Sequence, residues 1–227
     1  MSATYSPLQF SITYETMDCM ESTKGAIVMI DLIEIEQSVS GILDDYRMAH
    51  TRSVKEECLR LADLFELSEE DTNLLVMAAL LHDCTKPLDL TGPRVYAQLL
   101  GVNLSEDDLN SPAVLHSITG SAIAEKHFDA PAVVASAIAC HTTGKEDMTL
   151  IEKLLFLADY IEPTRKFDDC LQVRRYFYED SAYLSLSERL DATLLLAFDL
   201  TISQLLSEHR PIHPTTVKSR NFLLKKS

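Results

Sequence analysis

His82 and Asp83 stand side by side at the end of an apolar run, Leu74-Leu75-Val76-Met77-Ala78-Ala79-Leu80-Leu81, where burial is expected. Taking a carboxylate out of water costs several kcal/mol unless it is paired or bound to a cation. A metal ion would meet that cost, and further ligands lie elsewhere in the chain. His50 precedes the pair, and His116, His141 and Asp159 follow it. Mixed imidazole and carboxylate ligation suits divalent first-row metals such as iron, manganese or zinc. A bound metal lowers the pKa of its water, makes hydroxide available near neutral pH and polarises a phosphoryl oxygen. The order His…His-Asp…Asp with two interposed histidines therefore points to a metal-dependent phosphohydrolase. His50, His82, Asp83 and Asp159 would hold a first ion. His116 and His141 would complete a second one or touch phosphate directly, with Asp83 as the natural bridge.

Each of these residues has a plainer explanation when taken singly. A lone histidine in a helical protein is more often a surface or hydrogen-bonded residue than a ligand, and His127 and His209, beside charged neighbours, are read that way. Asp159 could pair with Arg165, and Asp83 with Lys86. The joint pattern outweighs these readings, because four of the seven histidines fall in the right order and context. Groups suited to phosphate lie near the ligands in sequence. Lys86 follows Asp83 by three residues, Thr142-Thr143-Gly144-Lys145 follows His141, and Arg165 lies beyond Glu162-Pro163. Arginine and lysine stabilise phosphoryl groups in transfer.

The elements that must carry these residues read as helices. Ile30 to Tyr46 is read as one helix. Val54, Cys58, Leu61, Ala62 and Phe65 form a stripe at helical spacing, with His50 at the start of that helix. Ser68-Glu-Glu-Asp71 is a capped, acidic start for the helix that runs into His82-Asp83. Ser111-Pro112 opens a helix through His116 toward Phe128, and Asp129-Ala-Pro131 opens one that ends near His141. Thr149-Leu-Ile-Glu152 is a capping box, and its helix carries Asp159. A long amphipathic helix spans Leu184 to Leu206, and a last one runs from Thr215 to Leu224. His213 reads as a residue that docks this last helix. The fold class expected is all-α, a helical bundle. Residues 1–28 are expected to be an extension, and residues 29–227 the single domain.

Composition narrows the partners. Six glycines and eight prolines in 227 residues argue against a turn-rich β sandwich. A net charge of −15 disfavours DNA and RNA, though a bound cation can invert the local field for a small phosphorylated ligand. The five cysteines are scattered, without a Cys-x-x-Cys pair, which fits a reducing cytoplasm. Cys84 and Cys140 are read as small buried packing residues. No stretch of about 18 uninterrupted apolar residues marks a membrane span, so neither nucleic acid nor membrane is expected as a partner. A homodimer is left open.

The motifs Leu81-His82-Asp83-Cys84-Thr85-Lys86, Leu115-His116-Ser117, His141-Thr142-Thr143-Gly144-Lys145 and Leu157-Ala158-Asp159-Tyr160-Ile161-Glu162-Pro163-x-Arg165 resemble the YqeK-type branch of the HD superfamily of phosphohydrolases. The tail Ile212-His213-Pro214-x-Thr216-Val217-x-x-Arg220-Asn221 resembles the same branch. The likeness spans about residues 35–224. It implies an all-helical HD domain that binds one or two ions, with iron expected and manganese or zinc as alternatives. It also implies symmetrical cleavage of diadenosine tetraphosphate to two ADP by metal-bound hydroxide attacking a central phosphorus. His50, Ser53, His116, His141, Thr142, Thr143, Lys145, Tyr160 and Arg165 are then expected on the substrate side, and Asp83, Lys86 and Arg165 in the reaction itself. Ser53 and Ser117 stand where that branch commonly has glycine. The rival expectations are an HD phosphohydrolase for another nucleotide and a nucleotide-sensing module with a vestigial site. The second rival should have lost ligands, and none is missing.

Overall fold

The computed structural model describes residues 31–87 and 92–225, so the extension expected over residues 1–28 lies outside the described residues. The helices are α1 (Leu32–Ser40), α2 (Asp45–Leu64), α3 (Glu69–Leu81), α4 (Gly92–Leu99), α5 (Glu106–Asn110), α6 (Leu115–His127), α7 (Ala132–Cys140), α8 (Leu150–Ile161), α9 (Asp168–Arg175), α10 (Leu186–Ser207) and α11 (Pro214–Leu224). A 3₁₀ turn, Pro112–Val114, leads into α6, and a π turn, Tyr176–Asp180, follows α9. No strand occurs among the described residues.

The centre of the bundle is α3. Every residue from Leu75 to Leu81 is buried, as expected of a helix that is apolar all round. It packs against α1, α2, α6, α7 and α8. Its start is set by Ser68, whose hydroxyl accepts the Asp71 N–H at 3.0 Å. The capping box read at Thr149 is present, with the Thr149 hydroxyl and the Glu152 carboxylate each satisfying the other's backbone N–H. This fixes α8, and with it the register of Asp159.

The single helix expected from Ile30 to Tyr46 is two. α1 ends at Gly41, and α2 begins after Asp44, whose carboxylate accepts the Arg47 N–H at 2.8 Å. The cap resets the helix before the apolar pattern shows a break. His50 consequently sits in the second turn of α2 rather than at its start. The other expected helices lie within a few residues of their sequence boundaries.

His213 docks the last helix in a specific way. Its Nδ1 accepts the Thr215 N–H at 3.2 Å, capping α11, so its Nε2–H is free to donate to Asp108 Oδ1 at 3.1 Å on α5. By length and composition α10 is apolar enough to cross a bilayer. Here Leu190, Leu194, Ala197 and Phe198 pack it into the core.

Candidate metal centre

Five helices deliver the expected ligands. His50 comes from α2, His82 and Asp83 from the end of α3, His116 from the first turn of α6, His141 from the end of α7 and Asp159 from the last turns of α8. Two of the histidines are placed by one local device. His82 is the C-cap residue of α3, and its Nδ1–H donates to the Ala79 carbonyl at 2.7 Å. His141 is the C-cap residue of α7, and its Nδ1–H donates to Ile138 at 2.7 Å. In each case a helix-end carbonyl is satisfied, the tautomer is fixed, and Nε2 is left as a lone-pair donor pointing inward.

The inward atoms converge. His50 Nε2 lies 3.1 Å from Asp159 Oδ1 and 3.8 Å from Asp83 Oδ2. His82 Nε2 lies 3.7 Å from Asp83 Oδ2 and 3.8 Å from Asp159 Oδ1. On the other side of Asp83, its Oδ1 is 3.2 Å from His116 Nε2 and 3.8 Å from His141 Nε2, and the two imidazole nitrogens are 3.1 Å apart. Donors held about 2.0–2.2 Å from one tetrahedral or octahedral ion are roughly 3–3.6 Å from each other. The spacings found are close to that. His50 Nε2, His82 Nε2 and Asp83 Oδ1 are also buried with no well-formed hydrogen bond. Buried polar atoms are rarely left so. A cation would supply the missing partner, and the cluster is able to hold one.

The charges agree with that use. Burial alone would raise the pKa of Asp83, but His82, His116, His141 and Lys86 around it hold the carboxyl well below its usual range. Burial likewise opposes the charge on Asp159, and Arg165, His50 and His82 outweigh it. Both are therefore anionic and able to serve as ligands. Burial lowers His82 to about 4 and pushes His116 down as well, so their rings are neutral. His50 is the exception. Burial disfavours its charge, but Asp159 and Glu162 raise it to about 9, and in the metal-free protein a proton occupies part of the place a cation would take.

Behind the ligands lies a residue that sequence reasoning passed over. Glu162 is fully buried, and its Oε1 lies 3.1 Å from His50 Nδ1. The Thr164 N–H and hydroxyl donate to its two oxygens at 2.6 Å each, and Ser53, inside α2, also hydrogen-bonds it. The carboxylate turns His50 so that Nε2 faces the cluster. The signal in sequence was faint: an acid in the motif beside Asp159, but 112 positions from the ring it orients.

The remaining expected residues fall into three groups. Lys86 Nζ is 3.0 Å from Asp83 Oδ2, and Arg165 Nη2 is 2.5 Å from Asp159 Oδ1, so two cations flank the carboxylates. Thr142 is half-buried, its hydroxyl 3.2 Å from that of Ser117, while Thr143 is buried and Lys145 turns to Ser136 and Glu152, the latter at 2.5 Å. Tyr160, next to Asp159 on α8, donates its hydroxyl to Asp169 Oδ2 at 3.1 Å and lines a cavity together with Arg165. The loop after His141 turns at Gly144, where φ is +62° and a Cβ would meet the Phe198 ring at 2.5 Å. Only glycine fits there.

Comparison with known proteins agrees with this geometry. Residues 47–164 match the HD domain family, a span that holds all six ligand candidates. A symmetrical bis(5'-nucleosyl)-tetraphosphatase of Halalkalibacterium halodurans is 33% identical over 191 residues, covering 83% of this chain and 94% of that protein. One from Staphylococcus aureus is 30% identical over 182 residues, covering 79% and 88%. The crystal structure of a protein from Clostridium acetobutylicum, described as a predicted HD superfamily hydrolase involved in NAD metabolism, superposes with a TM-score of 0.76 at 30% identity, covering 88% of this chain and all of that one. The likeness in sequence and in structure runs along nearly the whole length of these proteins, and the chain belongs to the HD domain family.

Proposed function

We propose that this protein is a divalent-metal-dependent hydrolase that cleaves diadenosine tetraphosphate at the centre of its phosphate bridge and releases two ADP. The observation that carries the proposal is the convergence of unpartnered imidazole and carboxylate atoms between Lys86 and Arg165. The names of the two bacterial relatives supply the substrate and the position of cleavage. Iron is the proposed ion, one or two per chain, and manganese or zinc suits the same donors.

When bound, the cation lowers the pKa of a water molecule and polarises a phosphoryl oxygen. The protein's own groups do the rest. His50, His82, Asp83 and Asp159 form one donor set; Asp83, His116 and His141 form the other, with Asp83 common to both. Lys86 and Arg165 already lie against the ligand carboxylates and are placed to meet the phosphates beside the one under attack. Overall, an oxygen–phosphorus bond forms from water, whose protons pass to solvent, the central anhydride bond breaks, and the leaving electron pair stays on the terminal phosphate of the departing ADP. That anion leaves readily, so no strong general acid is required of the chain. Thr142 and Thr143 contribute loop donors on the His141 side. Lys145, engaged by Glu152, braces that loop. A reducing cytoplasm is the proposed setting, in keeping with Cys58, Cys84, Cys140 and Cys170, all buried and unbonded.

A second reading is that a shorter dinucleotide is cleaved, favoured by the description of the structural relative as involved in NAD metabolism. A panel of diadenosine tetraphosphate, NAD, guanosine polyphosphates and nucleoside monophosphates, offered with and without a chelator, separates the two. Chelator-sensitive formation of ADP alone from diadenosine tetraphosphate supports the proposal. Formation of AMP with ATP, or turnover of NAD in its place, contradicts it.

A further inference from the structure

Three of the four ligand imidazoles are aimed through Nδ1. His82 and His141 donate it to helix carbonyls, and His50 faces Glu162. His116 is held through its main chain. Thr85, in the turn after α3 and two residues beyond Asp83, donates its hydroxyl proton to the His116 carbonyl at 2.8 Å. The same Thr85 oxygen lies 3.0 Å from the hydroxyl of Thr119, which donates to the Leu115 carbonyl at 2.9 Å. Two hydroxyl protons thus meet the two carbonyls that open α6. Both threonines are buried, so water does not compete for these bonds.

The two bonds differ in reach. Thr119 bonds back within its own helix, as threonine commonly does. The Thr85 bond spans 31 positions and ties the segment that bears Asp83 to the one that bears His116. The backbones are close at this point. A Cβ at Gly120 would lie 3.5 Å from the His82 carbonyl oxygen and 3.6 Å from Thr85 Oγ1, so α6 passes within van der Waals reach of the end of α3. The hydroxyl fixes where the first turn of α6 sits along that contact. On this turn depends the His116 ring, whose Nε2 is 3.2 Å from Asp83 Oδ1 and 3.1 Å from His141 Nε2. Ligand sets work only when held within about 0.5 Å of the productive geometry.

We propose that Thr85 is a positioning residue for the second donor set: its hydroxyl, through the His116 carbonyl, holds His116 Nε2 where it can share an ion with Asp83 and His141. This rests on the reading of the cluster as two donor sets with Asp83 in common, and not on the substrate. A buried hydroxyl that touches no ligand side chain then decides whether the chain holds one ion or two.

The test is equilibrium dialysis of the metal-free protein against manganese(II), with metal and protein counted and the bound ions observed by electron paramagnetic resonance. Wild type is expected to take two ions, the second bringing an exchange-coupled signal, since paired ions of this kind sit about 3.5–4 Å apart. Thr85→Val keeps the branched shape and removes the donor. We expect it to weaken the second ion by about 10- to 100-fold, with the first ion unchanged and the coupled signal lost at the same manganese concentration. His116→Ala should give the same pattern, and Thr85→Ser, which keeps the hydroxyl, should behave as wild type. Thr119→Val removes a neighbouring buried hydroxyl that serves Leu115 instead, so it should cost stability yet keep both ions. Should Thr85→Val not fold, Thr85→Ala gives the same reading. Wild type that saturates at one ion, a second ion held within about twofold in Thr85→Val, or an equal loss in Thr119→Val overturns the assignment. Cleavage of diadenosine tetraphosphate is scored separately. Two ions governed by Thr85 without cleavage would refute the proposed reaction and uphold the positioning role. Cleavage to ADP with an ion count indifferent to Thr85 would do the reverse.

Discussion

Replacing Glu162 with alanine isolates the role of a residue that touches neither metal nor substrate. Its carboxylate is fully buried and accepts from His50 and from Thr164. Thr164 is exposed and can turn to water. The His50 ring cannot, and it loses both its orientation and the acceptor for Nδ1. Partners of this kind are worth about 10- to 100-fold in metal affinity or activity, and that is the loss expected in a chelator competition. Stability gives a second readout. Burial would raise the Glu162 pKa, but His50, Ser53 and Thr164 depress it from 4.5 to about 2. At about 1.4 kcal/mol per pH unit, this shift stabilises the metal-free protein by roughly 3 kcal/mol at neutral pH. Because the folded pKa is the lower one, that stability is complete above about 4.5 and is lost as the pH falls toward 2. Urea unfolding should therefore separate wild type from Glu162→Ala by about that amount at pH 7 and by clearly less at pH 3. A variant that keeps its metal within about twofold of wild type would refute the claim that Glu162 sets the His50 ring.

Two further outcomes follow from the geometry. Gly144→Ala combines a left-handed backbone with a contact inside 3 Å on the buried Phe198 ring, so the variant should lose at least about 1–3 kcal/mol in chemical denaturation; a loss below about 0.5 kcal/mol would show that the loop relaxes freely. Uptake of the ion held by His50 should release one proton at neutral pH. His50 is raised to about 9 in the metal-free protein, while His82, lowered to about 4, is already neutral. Apparent affinity should then climb about tenfold per pH unit up to roughly pH 9 and flatten above it. Titrations in buffers of differing ionisation enthalpy count that proton, and a pH-independent affinity would show that His50 is not displaced from its protonated form.

Some of this architecture is visible in the sequence because it is locally encoded. The apolar run before His82 demands a buried helix, and the serine and threonine caps at Ser68 and Thr149 mark where α3 and α8 begin. The ligand set is legible for the same reason: an imidazole or carboxylate at the end of a buried helix, or inside one, needs a partner. What eluded the sequence depends on contacts across the fold. Glu162 meets His50 only when α2 and α8 pack together. Gly41 breaks the first helix without disturbing its apolar pattern. The short α4 and α5 and the π turn at Tyr176–Asp180 carry too few residues to show a period. Lys145 reads in sequence as a substrate-side cation, and folding pairs it with Glu152, the residue that also closes the cap of α8.

The most direct test is anomalous diffraction from crystals of the anaerobically purified protein, recorded on either side of the iron absorption edge. The account predicts a peak within bonding distance of His50 Nε2, His82 Nε2, Asp83 and Asp159, with any second peak beside His116 and His141. A fully loaded protein whose metal lies elsewhere, leaving these side chains uncoordinated, would contradict it.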